Sequence, residues 1–297
     1  MAEVDERGAA VTGRYYSAVV AYDGTDYHGF QVQRNASSVQ GVLEAALDAF
    51  THRIGRVAGA GRTDAGVHAL GQVVAVRLDW SHTATDLQRA WNAHLSPAIT
   101  VRHVTEAVDG FHPRFSAQSR TYRYTVWNAG CDEWRALPQR SPLTDRFALF
   151  EVRPLDIAAM QEAARQLVGT HDFATFGQPP EAGNGTVRTV VQAQWDVTGW
   201  ASGVYPGRQL VFTITANAFL RQMVRNIVGT LLAVGRGEWQ VTGVADALAA
   251  KRRNRSAPPA APQGLVLEKV TYPHWLDGLI HGNSSTEIQL PQGTEVV

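Results

Sequence analysis

Hydrophobic and polar positions in the first third of the chain follow two different periods. Residues 14–23 alternate with the period of two that is typical of a half-buried strand. Ser37 and Gln40 then form a capping box before an apolar stripe with helical spacing. We expect strands over 14–23, 70–78 and 99–106, with a further short strand that leads to the glycines at 59, 61 and 66. We expect helices over 38–53 and from a Thr85 cap onwards. This half therefore has the order β-α-β-β-α-β.

The remainder of the chain repeats that order. We expect strands over 122–127, 186–197, 209–216 and 265–271, and helices over 155–168, 217–234 and 244–251. Gly169 ends the first of these helices and Asn217 is placed to cap the second. Two β-α-β-β-α-β units are the split pattern of ferredoxin-like modules. The predicted fold class is α+β, with two ferredoxin-like halves forming a mixed, mainly antiparallel sheet, helices on one side and a central cleft. The pattern leaves open whether the halves meet edge to edge or face to face.

Domain boundaries follow from the same periodicity. We assign residues 14–116 to an N-terminal half and residues 117–277 to a C-terminal half. The polar ends, 1–13 and 278–297, lack periodicity, and we expect them to be flexible tails. The Pro/Ala stretch 256–262 is interpreted as a connector inside the second half.

Composition limits the class of protein. A chain of 297 residues that is 44% hydrophobic can bury a sizeable core, and it has no apolar run long enough for a membrane span. The single cysteine, Cys131, excludes an internal disulfide and fits a cytoplasmic location. The histidines have no metal-ligand spacing, and no Walker or GxSxG motif is present, so we expect neither metal nor cofactor.

The arginine distribution qualifies a neutral net charge. A formal charge of zero argues against a strong nucleic-acid binder. However, residues 208–237 contain four arginines and no acid, and residues 251–255 form a second basic cluster. Arginine binds phosphate through a fork of N–H groups and stacks on bases, so these clusters favour an RNA-binding surface.

A glycine-rich stretch presents one carboxylate. Residues 61–69 read GRTDAGVHA, and the glycines at 59, 61 and 66 allow a tight turn and the close approach of a ligand. Asp64 lies at the tip of this turn, and Arg62 could bind an anion beside it. Without further information, such a turn is as consistent with an ordinary surface loop as with a catalytic one.

Arg225 lacks a local partner on its predicted helix. Its neighbours are apolar, and the positions four residues away are Arg221 and Gly229. An arginine in this setting either extends to water or meets an acid from elsewhere in the fold. Asp64 is the candidate acid, since a catalytic carboxylate needs a cation that keeps it ionised and oriented.

The stretch 120–124 reads RTYRY and begins a predicted strand. Alternation places Tyr122 and Tyr124 on one face and Arg123 on the other. The tyrosines could be ordinary core residues, or one of them could stack on a nucleobase.

Several motifs in order resemble the tRNA pseudouridine synthase A family. Besides 61–69 and 120–124, these are 21–31 (AYDGTDYHGFQ) with 38–40, 169–173 (GTHDF) and 217–229 (NAFLRQMVRNIVG). The resemblance extends from about residue 14 to 273. One departure is Gln222, where many members have histidine.

The resemblance implies an isomerase that converts uridine to pseudouridine at positions 38 to 40 of the tRNA anticodon stem-loop, without metal or cofactor. Carried over by residue, Asp64 is the catalytic aspartate, Tyr122 contacts the target base, Arg225 is the partner of the aspartate, and Arg62 holds a phosphate or the flipped nucleotide. It also implies a homodimer that binds one tRNA with both subunits, with residues 251–255 on that surface.

Alternatives remain at this stage. A non-catalytic tRNA-binding module on the same fold would keep the basic clusters and the tyrosine but would not need Asp64 and Arg225 together. A nucleoside hydrolase would usually need two acidic groups, and only one lies in the glycine loop. For the synthase, the sequence does not decide whether Asp64 attacks C1′ or removes a sugar proton, or whether Tyr122 acts as a base or only stacks.

Overall fold

The structure is a computed structural model that describes residues 13–129, 140–179, 185–199 and 207–282. Cys131, nearly all of the expected N-terminal tail and the last fifteen residues of the C-terminal tail therefore lie outside the described residues. Within the described ranges, no helix is both long enough and apolar enough to cross a membrane.

The described residues form ten strands and six α-helices. The strands are β1 (Arg14–Tyr22), β2 (His52–Gly59), β3 (His68–Asp79), β4 (Ile99–Glu106), β5 (Ser119–Asn128), β6 (Leu149–Glu151), β7 (Gly169–Asp172), β8 (Val187–Gly199), β9 (Arg208–Ala216) and β10 (Leu265–Thr271). The helices are α1 (Val39–Asp48), α2 (Ala84–Ala93), α3 (Ile157–Arg165), α4 (Met223–Gly235), α5 (Gly243–Ala250) and α6 (His274–His281).

All ten strands belong to one sheet, which confirms the predicted α+β class. The order is β4-β1-β3-β10-β5-β9-β8-β7, with β2 paired to β3 and β6 paired to β5. Only β3·β10 and β5·β6 are parallel among the described pairings. The order β4-β1-β3-β2 in the first half matches β10-β5-β9-β8 in the second, so each half has the strand order of a ferredoxin-like unit.

The two halves meet edge to edge, which the sequence left open. One edge of β3 has two partners. Its C-terminal part, from Val74 to Asp79, pairs with β2, and its first two residues, His68 and Ala69, pair with β10. The edge of β3 thus passes from one half to the other. The loop that joins β2 to β3 emerges at this change of partner, so the topology places it between the halves.

Helix α4 is the most buried helix of the second half. Every residue of α4 is buried except Arg225, which is only partly covered. Most of its residues are apolar, and the side chains of its two buried polar residues, Asn226 and Thr230, donate to backbone carbonyls, so the helix can lie inside the protein. Arg225 is therefore the residue of α4 that is least covered by the rest of the protein.

Several predicted boundaries were wrong by a few residues. Ser38, rather than Ser37, caps α1 by accepting a hydrogen bond from the Gly41 N–H, and Thr83, rather than Thr85, caps α2. Helix α4 begins at Met223, so Asn217 does not cap it. Helix α6 continues to His281, within the segment that the sequence analysis assigned to the tail.

Candidate active site

The Asp64 loop, residues 60–67 between β2 and β3, is held by an earlier turn of the chain. The Phe30 N–H donates to the Thr63 carbonyl at 3.1 Å, and the Gly66 N–H donates to the Tyr27 carbonyl at 3.2 Å. The loop before α1 and the loop after β2 are thus joined by backbone hydrogen bonds. Their polar backbone groups are satisfied by each other, which fixes the position of Asp64.

Two glycines of the 21–31 motif make this packing possible. A Cβ atom at Gly24 would lie 2.0 Å from the Val67 carbonyl oxygen, and one at Gly29 would lie 2.5 Å from the Thr63 carbonyl oxygen. Gly29 also has φ of +92°, which side chains rarely tolerate. The motif therefore serves as a close-fitting support beneath the Asp64 loop.

Side chains of the sheet strands β1 and β3 form hydrogen bonds to the Asp64 loop. The Tyr22 hydroxyl and the Thr63 hydroxyl are 2.8 Å apart, and the Gln72 amide donates to the Gly61 carbonyl at 2.8 Å. Burial raises the pKa of Tyr22 to about 12, against the hydrogen bonds from Thr63 and Gln72, so its hydroxyl stays neutral. These contacts anchor the loop to β1 and β3.

The structure brings Asp64 and Arg225 together. Arg225 Nη1 lies 3.6 Å from Asp64 Oδ2, an ion-pair distance that is longer than a hydrogen bond. The side chains are 14% and 28% exposed, respectively, so the pair lies at the mouth of the site. Arg225 is the third residue of α4, and helical side chains lean towards the N-terminus, which aims its guanidinium off the end of the helix.

The predicted connector, 256–262, continues to residue 264 just before β10, and this longer segment, called the connector from here on, supports both members of the pair. Arg225 Nε donates to the Ala260 carbonyl at 2.7 Å, and the Ala260 N–H donates back to the Arg225 carbonyl at 2.9 Å. A Cβ atom at Gly66 in the Asp64 loop would lie 3.0 Å from Pro262. The connector thus lies between α4 and the Asp64 loop and sets the spacing between them.

His68 joins three segments at the start of β3. Its Nδ1 accepts from the Gly24 N–H at 3.0 Å, and its Nε2 faces the Gln263 carbonyl at 3.2 Å. Burial lowers the pKa of His68, although nearby Asp23 opposes this effect. The ring is therefore neutral near pH 7, and this hydrogen-bond pattern assigns the proton to Nε2.

Tyr122 lies on the same face of the sheet as Tyr22. It is 8% exposed, and its ring packs edge-on against Phe219 with centroids 5.0 Å apart. Burial raises the pKa of Tyr122 well above its ordinary value, and the Tyr22 hydroxyl and the Asp64 charge act in the same direction. The hydroxyl is therefore a neutral group that can donate a hydrogen bond next to the Asp64 loop.

The other predicted basic residues are more open. Arg62 is exposed on the Asp64 loop, two residues from the carboxylate. In the cluster 251–255, Lys251 contacts Asp172 at 3.5 Å and Arg253 donates to the Thr175 carbonyl at 3.1 Å. Arg252 and Arg255 are exposed, so they are the members of the cluster that could meet an external anion.

Arg120 is a site residue that the sequence analysis did not single out. It is 9% exposed, and its guanidinium donates to four carbonyl oxygens from three segments, those of Ala60, Arg114, Ala117 and Asn217. Burial lowers its pKa, yet five N–H donors matched to several carbonyls allow it to stay charged. The signal was present, because alternation from Tyr122 and Tyr124 puts residue 120 on the buried face.

Comparison with known proteins gives a consistent set of matches. The model of a family described as tRNA pseudouridine synthase matches residues 18–116 and 163–273. A protein of Chloroflexus aurantiacus named tRNA pseudouridine synthase A is 40% identical over 94% of this chain and 97% of its own. Proteins of the same name are 43% identical in a Roseiflexus species (91% of this chain, 97% of theirs) and 40% identical in Herminiimonas arsenicoxydans (91% and 94%).

Proposed function

Because this chain belongs to the tRNA pseudouridine synthase family, we propose that it isomerises uridine to pseudouridine at positions 38 to 40 of the anticodon stem-loop of tRNA. One observation carries the assignment of the site. A carboxylate from the first half and a guanidinium from the second lie 3.6 Å apart at the seam between the halves. A module that only bound tRNA would have no need for this pairing beside a rigidly supported loop.

The reaction requires a flipped base and one reactive carboxylate. The target uridine must leave the stack, which costs a few kcal/mol and calls for a pocket that receives it. The C1′–N1 bond then breaks, the uracil turns, C5 bonds to C1′, and the C5 proton leaves. Asp64 begins this sequence, either by attack on C1′ or by removal of a sugar proton. Arg225, 3.6 Å away, orients the carboxylate for either path.

Tyr122 is assigned a binding role. Its raised pKa keeps the phenol protonated near pH 7, so it is poorly suited to remove the C5 proton as a base. A neutral hydroxyl and an aromatic ring beside the Asp64 loop can instead contact the uracil. Arg62, exposed on the same loop, binds the phosphate or the flipped nucleotide.

The finer biological context follows the same assignment. We propose a homodimer in which both subunits contact one tRNA, with exposed Arg252 and Arg255 on that surface, and we place the reaction in the cytoplasm, where tRNA is found. The proposed steps use protein side chains alone.

The decisive experiment uses tRNA that carries tritium at C5 of uridine. Each turnover exchanges the C5 hydrogen with solvent, so tritium release counts product. We expect Asp64→Asn to abolish release while tRNA binding persists, because the amide keeps the shape of the carboxylate but neither its charge nor its basicity. Normal turnover in that variant, or release from free uridine instead of tRNA, would end the assignment.

A further inference from the structure

Phe115 is an exposed aromatic residue in a tightly built turn. Phe115 belongs to the turn formed by residues 111–116, called the Phe115 turn below, and it is 74% exposed. A single exposed apolar side chain is common on protein surfaces, so the significance of Phe115 depends on the groups that surround it.

His112 orders this turn. Its Nδ1 accepts from the Arg114 N–H at 3.1 Å and from the Phe115 N–H at 3.4 Å. The Ser116 N–H also donates to the His112 carbonyl at 2.9 Å, and the Ser116 hydroxyl accepts from the His112 N–H at 3.0 Å. The turn is closed on itself from both ends, so the direction of the Phe115 side chain is set by the backbone.

Two side chains flank the ring. The His112 ring lies 4.4 Å from it between centroids, tilted by 36°, and the Arg114 guanidinium carbon lies 5.4 Å from its centroid. Despite these contacts most of Phe115 is open to solvent. An aromatic face beside a cation is the combination that single-stranded nucleic acid uses, since the base stacks and the phosphate meets the charge.

Arg120 ties this turn to the reaction centre. Its guanidinium donates to the Arg114 carbonyl at 2.6 Å and to the Ala60 carbonyl at 3.1 Å through the same Nη2. Ala60 begins the Asp64 loop. The Phe115 turn and the Asp64 loop are therefore held at a fixed spacing by one buried side chain.

We propose that Phe115, with Arg114 beside it, stacks on a nucleobase of the tRNA that neighbours the flipped uridine. The inference rests on the proposed function, because it takes the RNA as the ligand of the Asp64 site. When the target base leaves the stack, an adjacent base loses a stacking partner. Phe115 replaces that partner at a set distance from Asp64, and so places the uridine for reaction.

The test measures kcat/KM for tritium release from tRNA in four variants. Phe115→Ala removes the ring, Phe115→Leu keeps an apolar side chain without a π face, and Phe115→Tyr and Phe115→Trp keep the ring. We expect kcat/KM to fall about 5- to 150-fold in the Ala variant, the range for one lost base–aromatic stack. We expect the Tyr and Trp variants to stay near wild type and the Leu variant to resemble Ala.

Val197→Ala is the matched control. Val197 lies on β8, is 52% exposed and pairs with Leu210 of β9. Leu210 is six residues from Ala216, and Ala216 is the β9 residue that pairs with Arg120. Six strand residues span roughly 20 Å, so this apolar truncation lies far from the Asp64 loop. It should leave kcat/KM unchanged. All variants should unfold at the wild-type temperature, because each replaced side chain is exposed.

Base stacking is read directly with 2-aminopurine placed in turn at positions flanking the target. At one position, binding of wild type should give a fluorescence change that Phe115→Tyr keeps and Phe115→Ala loses. A wild-type kcat/KM in the Ala variant would overturn the inference, as would rescue by Leu equal to that by Tyr. A shift of oligomeric state in the Ala variant would indicate a protein contact instead and would overturn it too. An inactive wild-type enzyme would contradict the proposed function itself.

Discussion

Arg225 uses its guanidinium in two directions at once. Nε donates to the Ala260 carbonyl at 2.7 Å while Nη1 faces Asp64 at 3.6 Å. Lysine has one compact ammonium group and cannot hold both positions with the same geometry. The side chain thus divides its nitrogens between two tasks: Nε fixes the guanidinium to the connector, and Nη1 presents positive charge to the carboxylate.

This division predicts the behaviour of Arg225→Lys. We expect the single-turnover rate to fall roughly 10- to 100-fold, or about 1.4 to 2.8 kcal/mol of activation free energy, while tRNA affinity changes little. The figure stays modest because the pair is partly exposed and therefore screened. Rapid-quench rates at saturating tRNA, with Arg225→Met as the variant that loses charge as well, check the result. A Lys variant at the wild-type rate would show that orientation by Ala260 is unimportant.

At the residue scale the sequence predicts the proximity of Asp64 and Arg225 better than it predicts the groups that support them. Arg225 could be matched with Asp64 because no acid was available on its own helix and the motif resemblance assigned both residues. Arg120 was overlooked, since its partners are backbone carbonyls, which every residue has and which carry no sequence signal. The role of Gly24 and Gly29 was equally hidden, because close approach depends on which loop arrives opposite.

Helix α4 and the connector are in close backbone contact at the site. A Cβ atom at Gly229 would lie 2.0 Å from the Pro258 carbonyl oxygen, two residues before the Ala260 that binds Arg225. The absence of a side chain at Gly229 lets the connector lie against the helix. The position of Arg225 therefore depends on a residue one turn further along α4.

Gly229→Ala should destabilise the protein although alanine is the better helix former. Helix propensity favours Ala by about 1 kcal/mol, but backbone overpacking costs about 1 to 3 kcal/mol and must displace the connector. We expect a lower free energy of unfolding and reduced turnover. Gly235→Ala on the same helix is the control, because its Cβ would meet Met160, a flexible side chain that can move. The free energies of unfolding of both variants are measured by urea denaturation. Equal losses of stability in the two variants would mean that the connector can move away from α4 at little cost.

Element boundaries were less predictable than element types. Ser37 and Ser38 are chemically identical caps, and only the fold selects Ser38. Asn217 was a reasonable cap by residue type, yet its side-chain oxygen accepts from the Thr189 and Ala218 N–H groups, and the chain continues without helix to Gln222. The short strands β6 and β7 have three and four residues, too few for a periodic pattern.

On the scale of the whole molecule, His68 lies where the halves join. It belongs to the two-residue parallel pairing of β3 with β10, and it binds Gly24 on one side and the connector on the other. Protonation would remove the acceptor at Nδ1 and place a charge in a buried position. Asp23 at 3.2 Å and Arg146, which binds Asp23 at 2.8 Å, are the charged groups around it.

The lowered pKa of His68 predicts a loss of stability in weak acid. Because burial holds the folded pKa below the ordinary 6.5, the unfolded chain takes up a proton first as pH falls. The stabilising contribution of the neutral His68 ring is complete above pH 6.5. It is lost as the pH falls from 6.5 through the pKa of His68 in the folded protein. His112 and His281, whose pKa values burial also lowers, act in the same direction.

We therefore expect the free energy of unfolding to be smaller at pH 5.5 than at pH 7.5, and the difference to shrink in His68→Asn. Denaturant titrations at the two pH values, with His171→Asn as a variant of a more exposed histidine, give the comparison. A pH dependence that is the same in His68→Asn and wild type would remove His68 from this explanation.

The sequence could predict two similar halves but not how they join. Each half shows its own strand and helix periods, and these specify the pairing within a half. The β3·β10 contact comprises two residue pairs, Val266 with His68 and Leu267 with Ala69, and nothing in the alternation of either strand distinguishes it from a solvent edge. Long-range pairing of this kind depends on the completed sheets.

The shared strand order has a consequence for how the enzyme could have arisen. Two units with one plan are what a duplication of an ancestral segment would leave, yet they give different parts to the chemistry. The first unit supplies the loop before its third strand, and the second supplies the helix after its third strand. A single unit would therefore carry only one member of the Asp64–Arg225 pair, so the pair exists only where the two units meet at β3.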